Sequence, residues 1–256
     1  MEQAQKLPDF ADIFERLLVP AIFERYARDL VERARPFGPS DRILDLGCGT
    51  GIVARVLRER LGGAARLTGL DVNASMLAKA RSIAPDIEWV EGNAVALPFA
   101  DHSFEVVIAQ QVLQFVPDRK AAMREIRRVL VPGGRLIAAT WRSRAYQPLF
   151  EALGVINERH LGPGDDKRWS LDGDELRALL DDAGFVDLRH DTASLEDRFS
   201  AFPLQMSFAG AGYTNVDPAK MAEIEAEAKP VLARHTAPDG SITNQSVTNV
   251  VVARVP

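Results

Sequence analysis

Three glycines stand within five residues at the end of an apolar run, in the stretch ILDLGCGTG at residues 43–51. Glycine lets the backbone adopt positive φ and approach a ligand closely, because no Cβ stands in the way. An acidic residue, Asp45, precedes the glycines, and a stretch with helical spacing of apolar residues follows them. This pattern predicts a strand-to-helix loop whose backbone contacts a nucleotide or a related ligand.

Two common nucleotide-binding loops fit this stretch poorly. A P-loop requires G-x-x-x-x-G-K-[ST], and no Lys-Ser or Lys-Thr pair follows Gly51, so this class is excluded. A dinucleotide loop requires G-x-G-x-x-G, but here the third glycine comes one residue early and Ile52 stands in its place. A dehydrogenase therefore stays open as an alternative that the loop does not favour.

The sequence around the loop alternates between strand and helix patterns. Strands are predicted at Arg42–Gly47, Arg66–Asp71, Ile87–Gly92, Phe104–Gln110 and Arg135–Trp141, and helices at 51–61, 73–82 and 118–130. Such alternation is typical of an α/β fold with a doubly wound, mostly parallel sheet and helices on both faces. Ligands of these sheets bind at the carboxyl ends of the strands.

The flanking segments are predicted to cover that edge of the sheet. Residues 10–36 carry one apolar stripe typical of helices, and Pro20 is expected to divide them into two. Residues 142–169 look irregular, Asp172 is expected to cap a helix that ends at Gly184, and a strand follows at Phe185–Asp191. We predict a single domain over 1–256, with an N-terminal helical cover at 1–38, a binding core at 40–141, cover insertions at 142–170 and 192–246, and a final strand at 247–255.

The composition argues against several classes of protein. The chain has 256 residues and a net charge of −5, with 31 Lys and Arg against 36 Asp and Glu, so no nucleic-acid partner is expected. Cys48 is the single cysteine, the first residues show no signal-peptide pattern, and no apolar run approaches the roughly 20 residues that span a membrane. We expect a cytoplasmic monomer or homodimer without a membrane span.

Five stretches resemble, in order, the motifs of class I S-adenosylmethionine (SAM)-dependent methyltransferases. They are DLGCGTG (45–51), LTGLDVNASML (67–77), VEGNAVALPF (90–99), SFEVVIAQQVLQFVPD (103–118) and VLVPGGRLIAATW (129–141). The layout is similar to that of the type 11, quinone-biosynthesis-like subgroup and of natural-product methyltransferases. The resemblance implies a Rossmann-like, seven-stranded sheet with an antiparallel last strand, SAM as methyl donor and S-adenosylhomocysteine as product.

The resemblance also assigns roles to individual residues. Asp71, at a strand end, would accept hydrogen bonds from both ribose hydroxyls, a charge-assisted contact. Asn93 and Ala94 would frame the adenine, with Asn93 in place of the family's commoner aspartate. The carbonyl of Gln110 would accept from the methionyl ammonium, and Gln111 would face the same tail or the acceptor. The predicted cofactor site comprises Asp45, Gly47, Cys48, Gly49, Asp71, Val72, Met76, Asn93, Ala94, Gln110 and Gln111.

Simpler structural roles remain open for some of these residues. Asp71 is also suited to act as a charge at the start of the next helix, just before Asn73. Met76 is as well suited to the core as to the adenine. Cys48 has no paired base and is expected to be chemically inert.

Methyl transfer from a sulfonium needs alignment and exclusion of water more than it needs a fixed set of catalytic groups. No catalytic residue is assigned from the sequence. His160 and His235 are weak base candidates in the cover, and His102 and His190 fall on a loop and at a strand end. The histidines have no metal-ligand spacing, so no metal is predicted.

The acceptor is predicted to be a small, partly apolar molecule bound between the strand ends and the cover. Candidate pocket residues, chosen by position and type, are Gln114, Trp141, Arg144, Tyr146, Trp169, Phe208 and Tyr213. The alternative to an enzyme is a SAM-binding protein without transfer activity, a ligand sensor or an assembly partner.

Overall fold

The computed structural model describes residues 10–63, 65–164, 169–200, 202 and 216–256. Within these residues, seven strands form one sheet in the order β3-β2-β1-β4-β5-β7-β6. The strands are β1 (Arg42–Leu46), β2 (Arg66–Asp71), β3 (Glu88–Glu91), β4 (Phe104–Gln110), β5 (Leu130–Trp141), β6 (Val186–Phe199) and β7 (Ile242–Arg254). β7 runs antiparallel to both β5 and β6, and the pairs from β3 to β5 are parallel. The predicted mostly parallel sheet with an antiparallel last strand is confirmed.

Helices cover both faces of this sheet, as a doubly wound fold requires. They are α1 (Phe10–Ile13), a π-helix (Phe14–Phe23), α2 (Glu24–Arg33), α3 (Ile52–Leu61), α4 (Ala74–Ile83), α5 (Arg119–Val129), α6 (Pro148–Leu161), α7 (Gly173–Asp182) and α8 (Pro218–Arg234). The N-terminal helices and α3 share one core with the sheet, whereas α5 and α7 share the core on the other face.

The N-terminal helices form one continuous stretch, so the prediction that Pro20 divides them was wrong. Pro20 lies inside the π-helix, where the N–H of Glu24 donates to the carbonyl of Val19, five residues earlier. Proline has no backbone N–H, so it cannot donate a helical hydrogen bond, and its ring collides with the preceding turn of an α-helix. The wider π-helical turn accommodates the ring, and the helix continues.

The segments predicted as cover contain more regular structure than expected. α6 lies within 142–169, which had looked irregular, and α8 lies within 192–246. β6 extends to Phe199 and β7 begins at Ile242, so the long β6–β7 pair takes up both ends of the predicted 192–246 insertion. Beyond Asp191, the three consecutive charged residues Glu196, Asp197 and Arg198 interrupt the apolar alternation expected of a strand.

The start of β5 also differs from its prediction. The strand begins at Leu130, five residues before the predicted start at Arg135, and includes Pro132-Gly133-Gly134, a sequence typical of a turn. Gly133 has φ 74°, and the pairing with β4 shifts register between Phe104 and Val106. A bulge-like irregularity thus replaces the turn.

Asp45 is a carboxyl group buried at the end of β1. It is 2% exposed, and its Oδ2 accepts a 3.0 Å hydrogen bond from the N–H of Ala54 on α3. Burial raises the pKa of Asp45 to about 7, and the charge of Asp71 adds to this effect, while Ala54 and Arg55 oppose it. Asp45 thus links β1 to α3, and its buried position lowers the stability of the fold when the carboxyl group is charged.

Gly51 lies so close to a neighbouring side chain that any side chain at position 51 would destabilise the fold. Its φ is +87°, and a Cβ would lie 2.2 Å from the Trp89 ring. Gly63 has φ +81°, but a Cβ there meets no described atom within 4 Å. We expect Gly63→Ala to cost ~1 kcal/mol through backbone strain, and Gly51→Ala ~1–3 kcal/mol more through the collision. Denaturant unfolding of both variants measures this difference, and equal losses would contradict the packing described for Trp89.

Asp45→Asn should change how stability depends on pH. The substitution keeps an oxygen for the Ala54 N–H but removes the titration. Because the folded-state pKa lies near 7 and the unfolded value near 3.8, the unfolding free energy of the wild type, relative to the variant, should fall by ~1.4 kcal/mol per pH unit between those values and level off above 7. Urea unfolding at a series of pH values measures this difference, and a pH-independent difference would contradict the buried, shifted carboxyl.

Candidate functional site

A cavity of about 530 Å³ opens where the carboxyl ends of β1, β2, β4 and β5 meet the covering segments. We distinguish three groups of lining residues. The strand-end group is Asp45, Gly47, Cys48, Gly49, Asp71, Val72, Asn73, Met76, Gln110, Gln111, Val112 and Phe115, with Ile52 and Val53 from α3. The helix group is Phe10, Phe14, Leu18, Ile22 and Phe23. The cover group is Trp141, Arg142, Arg144, Gln147, Phe150, Gly154, Trp169, Ser170 and Ser246.

The glycine loop is tied to the neighbouring strand through its backbone. The N–H groups of Gly47 and Cys48 both donate to the carbonyl of Leu70 on β2, at 2.7 and 3.0 Å. A Cβ on Gly49 would point toward the Phe14 ring, whose nearest atom is 3.8 Å away. The loop therefore presents bare backbone to the space between itself and the helix group.

Asp71 holds the same loop from the end of β2. Its Oδ2 accepts from the Gly49 N–H and its Oδ1 from the Asn73 N–H, both at 2.8 Å. Asn73 in turn caps α4 through hydrogen bonds from Ser75 and Met76, as predicted. A carboxylate offers about four lone-pair sites, so Asp71 can accept two further hydrogen bonds at the cavity. The structural role and the predicted ribose contact are compatible.

Two glutamines at the end of β4 bring unpaired polar atoms into the cavity wall. Gln110 Nε2 donates to the carbonyl of Phe23 at 3.0 Å, but its Oε1 is buried without a partner among the described residues. Both polar side-chain atoms of Gln111 are also buried, and neither has a hydrogen-bond partner among the described residues. Gln111 also has φ +45°, a conformation uncommon outside glycine. Buried polar groups without partners are costly, and their position here points to a bound ligand.

The remaining predicted cofactor residues divide into two sets. Val72, which is 70% exposed, and Met76 both line the cavity. Asn93 and Ala94 do not, and the Oδ1 of Asn93 accepts a 3.1 Å hydrogen bond from the N–H of Val95. The predicted adenine contact of these two residues thus has no support from the cavity lining, and it stays a prediction.

Burial raises the pKa of Cys48 well above its usual value, and the carboxylates of Asp45 and Asp71 act in the same direction. A thiol that stays protonated is a poor nucleophile. Cys48 is therefore a wall residue of the loop, in line with the inert role expected for it.

The predicted acceptor residues are only partly brought together. Trp141, Arg144 and Trp169 line the cavity, whereas Gln114 and Tyr146 do not. The Nε2 of Gln114 donates to the carbonyl of Gln111 at 3.1 Å, which supports the strand end from behind. Tyr146 is 45% exposed, with the Arg142 guanidinium 3.5 Å from its ring centre. Phe208 and Tyr213 lie outside the described residues.

All four histidines lie away from the cavity and bond to other parts of the fold. His102 Nδ1 lies 2.9 Å from the Leu130 carbonyl, and His235 Nδ1 lies 3.1 Å from the Thr243 carbonyl. His160 Nε2 lies 2.7 Å from Glu227, and His190 Nε2 lies 3.3 Å from Asn249. None of them is placed to act on a ligand in this cavity.

Several lining residues were missed by sequence reasoning. Phe14 and Phe23 had been assigned to the helical cover as a whole, and Gln147, Phe150 and Ser246 carried no local motif. Ser246 reaches the site because β7 pairs with β5, a contact between residues over 100 positions apart. The polar residues on an otherwise buried strand face, Asn244 and Ser246, were a signal that could have drawn attention to this end of β7.

Among the described residues, no group of three or more His, Cys, Asp or Glu residues is placed to hold a metal ion. None of the helices in this part of the chain is long and apolar enough to cross a membrane.

The chain is similar to proteins of known family. Residues 44–138 match the profile of a family described as "Methyltransferase domain". A ubiquinone/menaquinone biosynthesis C-methyltransferase, UbiE, of Stenotrophomonas maltophilia is 31% identical over 195 residues, covering 68% of this chain and 77% of that protein.

Solved structures share the fold. The YcgJ protein of Bacillus subtilis superimposes with a TM-score of 0.62 at 18% identity, covering 90% of this chain and 98% of that one. Phosphoethanolamine N-methyltransferase 2 of Haemonchus contortus, solved with SAM, gives a TM-score of 0.59 at 16% identity, covering 98% of this chain and 61% of that one.

The motif order, the sheet order and these similarities agree. The predicted resemblance, Rossmann-like fold and SAM dependence are confirmed, and nothing found supports the sensor or the dehydrogenase. The chain belongs to the class I SAM-dependent methyltransferases, in the quinone-biosynthesis-like subgroup, and it methylates a small-molecule acceptor.

Proposed function

We propose that the acceptor is a small, flat aromatic compound that carries at least one hydroxyl or carbonyl oxygen. The observation that carries the proposal is the combination of aromatic rings and buried polar atoms, without partners among the described residues, on the walls of the cavity. The relative UbiE is named for C-methylation in ubiquinone and menaquinone biosynthesis, which supports an acceptor of this class.

Aromatic side chains provide the walls for a flat ligand. The Trp141 ring packs edge-on against Tyr26 at 5.2 Å between centroids, which fixes its orientation. The Trp169 and Phe115 rings pack edge-on at 5.1 Å. Fixed rings favour a flat apolar ligand, because offset stacking and edge contacts add to the burial of apolar surface.

Hydrogen-bonding groups for the oxygen substituents are also present. Trp169 Nε1 is buried without a partner among the described residues, as is the amide of Gln111. An indole N–H can only donate, and an amide can donate and accept. These groups fit a carbonyl or hydroxyl oxygen, and a purely aliphatic ligand would leave them unpaired.

The residues at the strand ends fit SAM. The unpaired Gln110 Oε1 can accept from an ammonium group, and the Gly49 backbone leaves room for the sugar and tail. When bound, SAM supplies a methyl group activated by its sulfonium. The chain's own contribution is to hold the ribose through Asp71, to orient the acceptor between the Trp141 and Trp169 rings, and to keep water out.

The predicted cytoplasmic location and the monomeric or homodimeric state are part of this proposal. A cavity built within one chain supports an enzyme that needs no second subunit to complete its site. Light scattering on the purified protein reports the oligomeric state.

Asp71→Ala should weaken SAM binding 10-fold or more, the effect of losing ~1.5–3 kcal/mol of charged hydrogen bonds. Glu91→Ala is the matched control, because Glu91 pairs in register with Asp71 at the end of β3 and does not line the cavity. Calorimetry gives both dissociation constants. An unchanged value for Asp71→Ala would remove this residue from the cofactor site.

The acceptor class is tested by formation of S-adenosylhomocysteine with a panel of phenols, hydroquinones, aliphatic amines and aliphatic alcohols. We expect turnover with the oxygen-bearing aromatics and little with the aliphatic compounds. Trp169→Phe keeps a smaller aromatic ring and removes the N–H, so kcat/KM for the active aromatic should fall about 5- to 30-fold while the SAM dissociation constant stays within about twofold. Turnover restricted to aliphatic acceptors would contradict the proposal, and SAM binding without any turnover would favour a binding protein.

A further inference from the structure

Ser246 places a hydroxyl in the cover group of the cavity, and a buried acid lies directly behind it. Ser246 is 1% exposed and lines the cavity from β7. Its Oγ donates a hydrogen bond to Oδ2 of Asp197, on the neighbouring strand β6. Asp197 is also 1% exposed and does not itself line the cavity.

The surrounding contacts hold this pair in one geometry. Asn244 Nδ2 donates at 2.9 Å to both Asp197 Oδ2 and Ser246 Oγ. The Tyr26 hydroxyl donates to the Ser246 carbonyl at 2.8 Å. The other oxygen of the acid, Asp197 Oδ1, is buried and has no partner among the described residues. A hydroxyl that only had to fill space here would not require a buried acid behind it.

Methylation of a phenol or hydroquinone, at the oxygen or at a ring carbon, releases one proton. The acceptor loses a proton as it gains the methyl group, and the donor keeps the electron pair of the broken carbon–sulfur bond. A weakly acidic phenol or hydroquinone therefore needs a base within reach. The four histidines lie elsewhere, so the site must supply this base from another residue.

We propose that Ser246 and Asp197 form the proton path of the acceptor site, with Ser246 in contact with the acceptor and Asp197 as the base behind it. This inference rests on the proposed aromatic, oxygen-bearing acceptor. The acceptor proton passes to a lone pair of Ser246 Oγ while the Ser246 hydroxyl proton passes to Asp197 Oδ2. The electron pair left on the acceptor forms the new bond to the methyl carbon, and Asp197 returns its proton to water after the products leave.

The charge environment suits this role. Burial raises the pKa of Asp197 to about 7, against the opposing effects of its bonds to Ser246 and Asn244 and of the Arg25 charge. Glu196 adds to the rise. A base that titrates near neutral pH combines a useful ionised fraction with strength as a proton acceptor.

Other ionisable side chains on the elements packed around Asp197 do not take over its role as base. Burial and the charge of Asp197 raise the pKa of Tyr26, so the phenol stays neutral. Arg144, on the short helix 144–146 after β5, is engaged by Glu151 and Glu158 at 2.9 and 2.7 Å. These two ion pairs hold the Arg144 guanidinium against α6.

The test compares two acceptors that differ in acidity. A plain phenol or hydroquinone from the panel must be deprotonated in the site, whereas a nitrophenol already arrives mostly ionised at about pH 8. We expect Asp197→Asn and Ser246→Ala to lower kcat about 100-fold or more for the weakly acidic acceptor. For the nitrophenol, the factor by which kcat falls should be about 10 times smaller. With the weakly acidic acceptor, the wild-type kcat should rise with pH to a plateau, with a midpoint near pH 7. This rise with pH should be absent in Asp197→Asn.

Control measurements separate a proton path from a structural role. Asp191→Asn makes the same change on the same strand at an exposed carboxylate paired with Arg33, and it should alter neither the rates nor their ratio. Infrared difference spectra of the wild type and Asp197→Asn should show a carboxylic acid band that disappears as the pH rises through about 7. If Asp197→Asn does not fold, Ser246→Ala carries the rate comparison.

The outcomes are distinct. An equal loss for both acceptors, or no loss, in a variant that binds SAM normally would overturn the proton path while leaving the proposed acceptor class intact. A wild type that methylates no phenol or hydroquinone would overturn the proposed acceptor class and this inference together.

Discussion

The position of the glycine loop depends on one carboxylate at the end of the adjacent strand. Asp71 accepts the Gly49 N–H, and the Leu70 carbonyl beside it accepts two more loop N–H groups. Parallel pairing of β1 and β2 brings these atoms to the same edge of the sheet. Because Asp71 also faces the cavity, the charge that fixes the loop is the charge available to a ribose. With the proposed ribose contact, loop geometry and cofactor binding are coupled through one side chain.

The covering segments are integral to the fold. Gln110 on β4 donates to the Phe23 carbonyl of the N-terminal helices, and Tyr26 donates to the Ser246 carbonyl on β7. The ion pair of Arg55 with Glu15, 2.9 Å apart, joins α3 to the same helices. The helix group of the cavity is therefore anchored to the sheet, which keeps its aromatic rings in place when no ligand is bound. Such preorganisation reduces the ordering cost of binding.

The parts of this molecule that sequence could predict are those with local patterns. β2 and β4 have the predicted bounds. β4 is a nearly continuous apolar run, and β2 lies between the Gly62-Gly63 turn and the Asn73 cap. The uninterrupted helix at Pro20 was not predictable, since it depends on a π-helical turn rather than on propensity. β6 was shortened in the prediction because its polar residues have partners across the sheet and on the helices, which a linear pattern does not show.

The same limit applies to the site. The strand-end residues follow a motif, so most of the predicted set lies together around one cavity. The helix and cover groups are assembled from residues far apart in the chain, such as Phe14, Trp169 and Ser246, and only the folded sheet brings them together. Asp197, the buried acid on β6, looked like one more charge in an irregular segment.

The most direct measurement of the central claim is a crystal structure of the protein with S-adenosylhomocysteine. We expect a nucleoside lying over the glycine loop, its ribose hydroxyls within hydrogen-bonding distance of the Asp71 carboxylate and its amino group close to Gln110. We also expect the space between Trp141 and Trp169 to stay open for the acceptor. Density for the ligand elsewhere, or side chains closing the cavity with Asp71 bound to backbone alone, would contradict the central claim.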